Sequence, residues 1–260
     1  MKRFILFTGI AAAMFGCKKE ISPDNKTPYT IHNEGNEQNA VVPTIQFGGY
    51  TWYVKNSGNT LLGPGPNYWS AANVWVDANG YLHLKISKVS GKWKCAEVWN
   101  TQSFGYGTYQ WQVEGRLDLL NKNVVLGLFN YSGNDGFDEM DIEFAKWGKF
   151  SSPGLNYTVW PAQMGFNNFS YTQNFSLNGT YTTHRFIRSD NSVIFKSMQG
   201  FTDSDANLFA SATCTDPPNS VSTLSMPVHI NLWLFQGKAP SDRNQVEIII
   251  HDFKYIPQFF

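Results

Sequence analysis

The chain has 260 residues, of which 15% are charged and 16% aromatic, with Lys+Arg and Asp+Glu balanced at 20 each. Soluble proteins carry roughly 25% charged residues, so this chain is sparing with charge and offers no basic footprint for nucleic acid. Nine Trp, twelve Tyr and twenty Phe suit either an aromatic-rich β-sandwich core or a protein that takes an uncharged, partly apolar ligand such as a sugar chain.

The N-terminal stretch "MKRFILFTGIAAAMFGC" begins with Lys2 and Arg3, runs apolar from Phe4 to Phe15, and sets Gly16 directly before Cys17. That is the layout of a secretory signal, too short for a stable membrane span. The Gly–Cys junction resembles a bacterial lipoprotein signal. The resemblance implies a signal peptide over residues 1–16, with Cys17 as the lipidated first residue of an exported chain at the cell surface or in the periplasm. Contact with the membrane is then through the lipid on Cys17 alone. An ordinary signal peptide with an incidental cysteine is the alternative. Two further cysteines, Cys95 and Cys214, are available for pairing in an exported protein.

Residues 17–43 are polar, rich in Asn and without a sustained period, and read as a flexible tether. From Thr44 to Phe260 the texture is uniform, which predicts one domain over 44–260. Strand signals recur along it: "YLHLKIS" after the turn "DANG", then "GTYQWQVEGRL", "VVLGLFN", "DEMDIEF", "GLNYTVW", "HRFIRS", "SVIFKS", "HINLWLF" and "QVEIIIHDFKYI". These segments are short, rich in β-branched and aromatic residues, and bounded by Gly, Asn, Asp, Pro or Ser. No long 3.6-residue period is sustained; at most a short helix fits near "TQSFG" or after Pro240. The pattern predicts an all-β, antiparallel β-sandwich.

Within "GFDEMDIEF" (136–144), Glu139, Asp141 and Glu143 stand two apart, and Met140, Ile142 and Phe144 fill the alternate positions. On a strand the three carboxylates share one face and the three apolar side chains the other. A merely solvated acidic face is one reading, although basic residues are sparse from Asn123 to Phe144. A calcium site is another, but such sites draw their ligands from loops that wrap the ion. Catalysis uses the spacing directly. Residues i and i+4 of a strand lie about 13 Å apart at Cα, and two Glu side chains leaning together can bring their carboxyls to the about 5–5.5 Å that a retaining glycosidase needs. Asp141 between them disfavours a further negative charge and helps keep one partner protonated. His184 and His229 read as locally hydrogen-bonded, since no zinc-type spacing accompanies them.

Glu139-Met140-Asp141-Ile142-Glu143-Phe144 resembles the signature of glycoside hydrolase family 16, the laminarinase, lichenase and xyloglucan-transferase group. The likeness continues through "CAEVW…FGYGTYQWQV" upstream and "LNYTVW", "THRFI…SVIFK", "INLWLFQG" and "VEIIIHDFKYI" downstream, covering nearly all of residues 44–260. It implies a concanavalin-like jelly roll that cleaves internal β-linkages of a polysaccharide with retention. Glu139 would be the nucleophile, Glu143 the general acid/base and Asp141 the helper, with no cofactor for catalysis. The single residue between Asp141 and Glu143 is similar to the unbulged branch, which leans toward 1,3-1,4-β-glucan.

The same resemblance implies cleft roles for Glu97, Asn156, Asn231 and Trp233. Trp99 stands in place of a lichenase arginine and Phe137 in place of a tryptophan; Asn67 and Trp69 would line one end of the cleft. Cys95 resembles a lichenase cysteine whose disulfide partner lies near "PNYWS", where this chain has no cysteine. Asp252 and the carbonyl of Gly80 match the ligands of a structural calcium. A non-catalytic glycan-binding protein on the same scaffold and a transglycosylase are the competing functions.

Overall fold

A computed structural model describes residues 42–258; the expected signal peptide, Cys17 and all but the last two residues of the expected tether lie outside the described residues. The strands are β1 (Thr44–Phe47), β2 (Tyr50–Val54), β3 (Tyr68–Trp69), β4 (Val74–Val76), β5 (Leu82–Val89), β6 (Lys92–Asn100), β7 (Gly107–Glu114) and β8 (Val124–Tyr131). They continue with β9 (Glu139–Ala145), β10 (Leu155–Trp160), β11 (Phe169–Gln173), β12 (Tyr181–Arg188), β13 (Ser192–Gln199), β14 (Leu208–Thr215), β15 (Val228–Leu234) and β16 (Val246–Pro257). Among the described residues there is no α-helix, only 3-10 turns at Ala71–Asn73, Leu117–Leu119 and Phe235–Gly237. Neither "TQSFG" nor the segment after Pro240 is helical; the latter is a turn closed by Arg243 N–H on the Pro240 carbonyl.

One layer runs β11-β10-β9-β8-β15-β6-β2-β1 and the other β4-β5-β16-β7-β12-β13-β14. They join where β5 changes partner: Leu82–Ile86 pair with β16, and Ser87–Val89 turn back onto β6. All pairings are antiparallel except the short β3–β6 contact. The architecture is the expected antiparallel jelly roll.

Alternation builds the core between the layers. Met140, Ile142 and Phe144 of β9 share the inner side of the first layer with Tyr157 of β10 and belong to one buried cluster with Trp111, Phe186, Phe195 and Phe253 of the second layer. Tyr157 stacks on Phe195 at 4.9 Å and its hydroxyl meets Ser197 Oγ at 2.6 Å. His184 is a core histidine between Ser197 and Thr182 hydroxyls, and burial pushes its pKa down to about 3, so it stays neutral. In β16 the inward residues are Ile248, Ile250 and Phe253. The odd step between the last two is a bulge at His251, which shifts the register against β7.

The predicted "DANG" turn forms as read: Asp77 Oδ1 accepts from the N–H groups of Asn79 and Tyr81, and Gly80 takes φ +85°. Cys95 and Cys214 do not pair. Both are free and buried, on β6 and β14. Cys95 instead meets Asn67 Oδ1 at 3.5 Å from within the core, and burial pushes its thiol up to about 12.

Candidate active site

Strand β9 puts its apolar set into the core and its acidic set on the opposite face of the first layer. Burying Met140, Ile142 and Phe144 completely contributes about 1.5–3 kcal/mol for each side chain. That is enough to offset the repulsion among three carboxylates on the other side. The neighbouring strands fix what the acids meet. Glu139 lies between Tyr131 and Trp160, Asp141 between Phe129 and Thr158, and Glu143 between Gly127 and Asn156. The rows extend outward to His229, Trp99 and Tyr53 in one line, and to Asn231 and Glu97 in the next.

The three acids are not equivalent. Asp141 is 4% exposed, and burial, then the charges of Glu139 and Glu143, raise its pKa well above the ordinary carboxylate range. Its carboxyl is hydrogen-bonded to Glu139, and its Oδ2 accepts from Trp160 Nε1 at 3.1 Å. Glu143 keeps some exposed surface, yet the surrounding wall and then the Glu139 charge push it up to about 8. At neutral pH Glu143 therefore keeps its proton, and the Glu139 charge is one cause of the upward shift in both of its neighbours.

Two cavities open along this face. One, of about 380 Å³, is walled by Glu143, Trp147, Asn156, Thr158, Trp160 and Thr172 among others. The second, of about 320 Å³, is walled by Phe137, Trp160, Met164 and Phe166, and Trp160 and Asn168 belong to both.

Several expected binding residues have protein partners of their own. Glu97 is 5% exposed and bound by Lys55 Nζ at 2.7 Å and His229 Nδ1 at 3.2 Å. Burial raises its carboxyl, but Lys55 and His229 together outweigh burial and hold it below the ordinary range. It is an anion committed to protein partners. Asn67, expected at one end of the cleft, is 2% exposed; its amide donates to the Pro64 and Leu234 carbonyls, tying the loop before β3 to β15. Trp69 is fully buried as well. Asn156 braces β9 by donating to the Glu143 and Ala145 carbonyls while accepting from Trp147 Nε1 at 3.2 Å. Trp233 is buried against Trp147 and Phe235.

Other expected residues do stand on the open face. Phe137 walls the second cavity. Trp99 is half-buried between Tyr53 and His229, at 5.4 and 6.1 Å between ring centroids. His229, read as locally hydrogen-bonded, instead bonds Glu97, 132 residues away in sequence, and stacks on Phe129 at 5.0 Å. Trp147, Trp160, Thr158 and Lys55 were not anticipated. For Thr158 and Trp160 a signal exists: both share strand parity with Asn156 in "LNYTVW".

Asn231 is 2% exposed and its Oδ1 has no protein partner. It leans over Gly127, where an added Cβ would lie 2.5 Å from that oxygen. Gly127 thus keeps the floor between Asn231 and Glu143 open. Gly127→Ala is expected to destabilise the fold by about 1–3 kcal/mol and to cost activity on the order of tenfold or more, read by thermal unfolding and a hydrolysis assay.

Asp252 and Gly80 each stand two residues from the last pair of the β16–β5 register, Ile250 with Leu82. Among the described residues no group of three or more His, Cys, Asp or Glu could hold a metal ion. Calcium takes 6–8 oxygens, so a site at Asp252 would rest chiefly on carbonyls and water.

No protein-family model matches the chain. A beta-glucanase of Bacillus licheniformis is 29% identical over 129 residues, which are 48% of this chain and 51% of the relative. The chain thus spans about half the length of that relative. A solved B. licheniformis beta-glucanase superposes with TM-score 0.61 at 21% identity, over 80% of this chain and 92% of its own. The fold is that of the beta-glucanases. The beta-glucanase fold also serves a Mycobacterium tuberculosis protein described as an immunostimulatory antigen and pseudo beta-1,3-glucanase, with TM-score 0.61, 17% identity and coverage of 80% and 91%. A shared fold does not by itself establish an activity.

Proposed function

We propose that the protein is a retaining, endo-acting glycoside hydrolase that cleaves internal β-linkages of a neutral β-glucan, with 1,3-1,4-β-glucan first among them. The observation that carries this reading is the acid row of β9: Glu139 and Glu143 stand on one face of the strand, two residues either side of a buried Asp141. In the first step Glu139 attacks the anomeric carbon while Glu143 gives its proton to the departing glycosidic oxygen. The glycosyl–Glu139 ester then forms as the C–O bond to the leaving sugar breaks. In the second step Glu143, now a carboxylate, takes a proton from water, whose oxygen displaces Glu139. Asp141 holds the hydrogen bond to Glu139 through both.

A neutral substrate is supported by the cations near the cleft. Lys55 is already engaged by Glu97, which leaves it poorly placed to neutralise sulfate esters. An open face extending across several strands, rather than a closed pocket, supports action within a chain. The N-terminal stretch supports export and anchoring through a lipid on Cys17. Calcium bound by Asp252 and the Gly80 carbonyl is a structural accessory in this reading and takes no part in the steps above.

The test is release of reducing ends from barley-type β-glucan, laminarin, xyloglucan and agarose, beside a Glu139→Gln control. Release from β-glucan that vanishes in the control is expected. A panel left uncut while one glycan binds tightly would replace the hydrolase with a glycan-binding protein. Products longer than the starting oligosaccharides would mark a transglycosylase.

A further inference from the structure

We propose that Trp160 is a positioning residue of the reaction: its indole N–H anchors Asp141 and, through Asp141, governs how a proton is shared with Glu139. The proposal rests on the hydrolase reading above. Trp160 ends β10 directly opposite Glu139, and its Nε1 lies 3.1 Å from Asp141 Oδ2. Asp141 is 4% exposed, so bulk water is poorly placed to substitute for a lost donor. A donor to the anionic form of a buried carboxyl favours that form, while a proton shared with Glu139 opposes it. Trp160 therefore works against the crowding that Glu139 and Glu143 impose.

The strand end that carries Trp160 is itself tied to the acidic strand. The carbonyl of Pro161, the next residue, accepts from Asp138 N–H at 3.2 Å, just before Glu139. The indole is thus held in register with the acids from both sides. Its ring also walls both cavities, so a sugar seated in either would press on the group that positions Asp141.

The groups facing Asp141 are few enough for a clean test. On its own strand they are Glu139 and Glu143. From β8 comes Tyr131 at the Glu139 position, with its hydroxyl on Asp135. From β10 come Asn156, Thr158 and Trp160, none of which titrates. Beyond β8, His229 of β15 is committed to Glu97.

Trp160→Phe keeps an aromatic ring and removes the N–H. In the full chain, the acid limb of the kcat/KM profile is expected to move up by about one pH unit, because both apparent pKa values of the Asp141–Glu139 pair rise without the donor. The kcat should fall about tenfold, the scale of one lost charge-assisted bond, with KM little changed. A profile that superposes on wild type would overturn the proposal. Carbon-13 NMR titration of the carboxyl groups decides the matter without catalysis. A pair titrating higher in Trp160→Phe sustains it, and an unchanged pair overturns it, even if wild type cuts no glycan and the hydrolase reading falls. Should the variant not fold, the wild-type Trp160 indole resonance serves instead. It should track the titration of the pair and lose that dependence in Asp141→Asn, and a pH-independent indole would overturn the proposal.

Discussion

Glu143→Ala is expected to lower kcat/KM on β-glucan by about 10²- to 10⁴-fold, the usual share of a general acid–base group, while sparing kcat/KM on glycosides whose leaving group departs without a proton. The kcat falls on both, because water attack on the glycosyl ester loses its base. The asymmetry follows from the role. A sugar hydroxyl leaves poorly as an alkoxide and needs the Glu143 proton in the bond-breaking step; an activated phenol does not. Wild-type activity should fall on the alkaline side around pH 8, where Glu143 loses its proton, and the variant should lack that limb. Kinetics on a polysaccharide and an activated aryl glycoside, side by side over pH, make the check. Equal losses in kcat/KM on both substrates would remove Glu143 from the acid role and point to a structural defect.

The acids were legible in the sequence because period-two spacing and chemistry coincide in "DEMDIEF". A strand must separate Glu139, Asp141 and Glu143 from Met140, Ile142 and Phe144, and nothing remote is needed to see it. The long strands read well for the same reason. The β1–β2 hairpin, β11 and β14 were less visible. The first turns on the pair Gly48-Gly49, both at positive φ, between strands of four and five residues. β14, "LFASATCT", buries only Ala210 and Cys214 deeply, so its hydrophobic signal is slight.

The binding half of the site was harder, since its logic is long-range. Glu97 was singled out, but its committed partners Lys55 and His229 lie 42 and 132 residues away. Asn67 holds Leu234, 167 residues on. Strand parity could have placed Thr158 and Trp160 on the cleft face. Only the register of β10 on β9 shows that the Trp160 indole reaches Asp141.

Glu143→Gln should make the protein more stable while making it inactive. An acid whose folded pKa is raised takes up a proton on folding, and that uptake costs more as pH rises. For Glu143 the ordinary value is 4.5 and the folded value about 8. Its contribution is fully favourable below 4.5, declines as pH climbs between the two values, and is lost above 8. Glutamine has no such titration. The gain of Glu143→Gln over wild type is therefore expected to be near zero at pH 4, to grow through pH 6–7, and to level off above pH 8. Partial exposure and proton sharing within the cluster moderate the full shift, leaving about 1–3 kcal/mol at the plateau, or a melting temperature higher by roughly 2–10 °C in a chain of this size. Thermal melts of both proteins across pH 4–9 test it. A gain that did not depend on pH would assign the stabilisation to packing, and a loss at every pH would show that Glu143 makes a hydrogen bond the fold depends on. The predicted rise with pH is the signature of a carboxyl kept protonated at a cost to folding because the chemistry needs its proton.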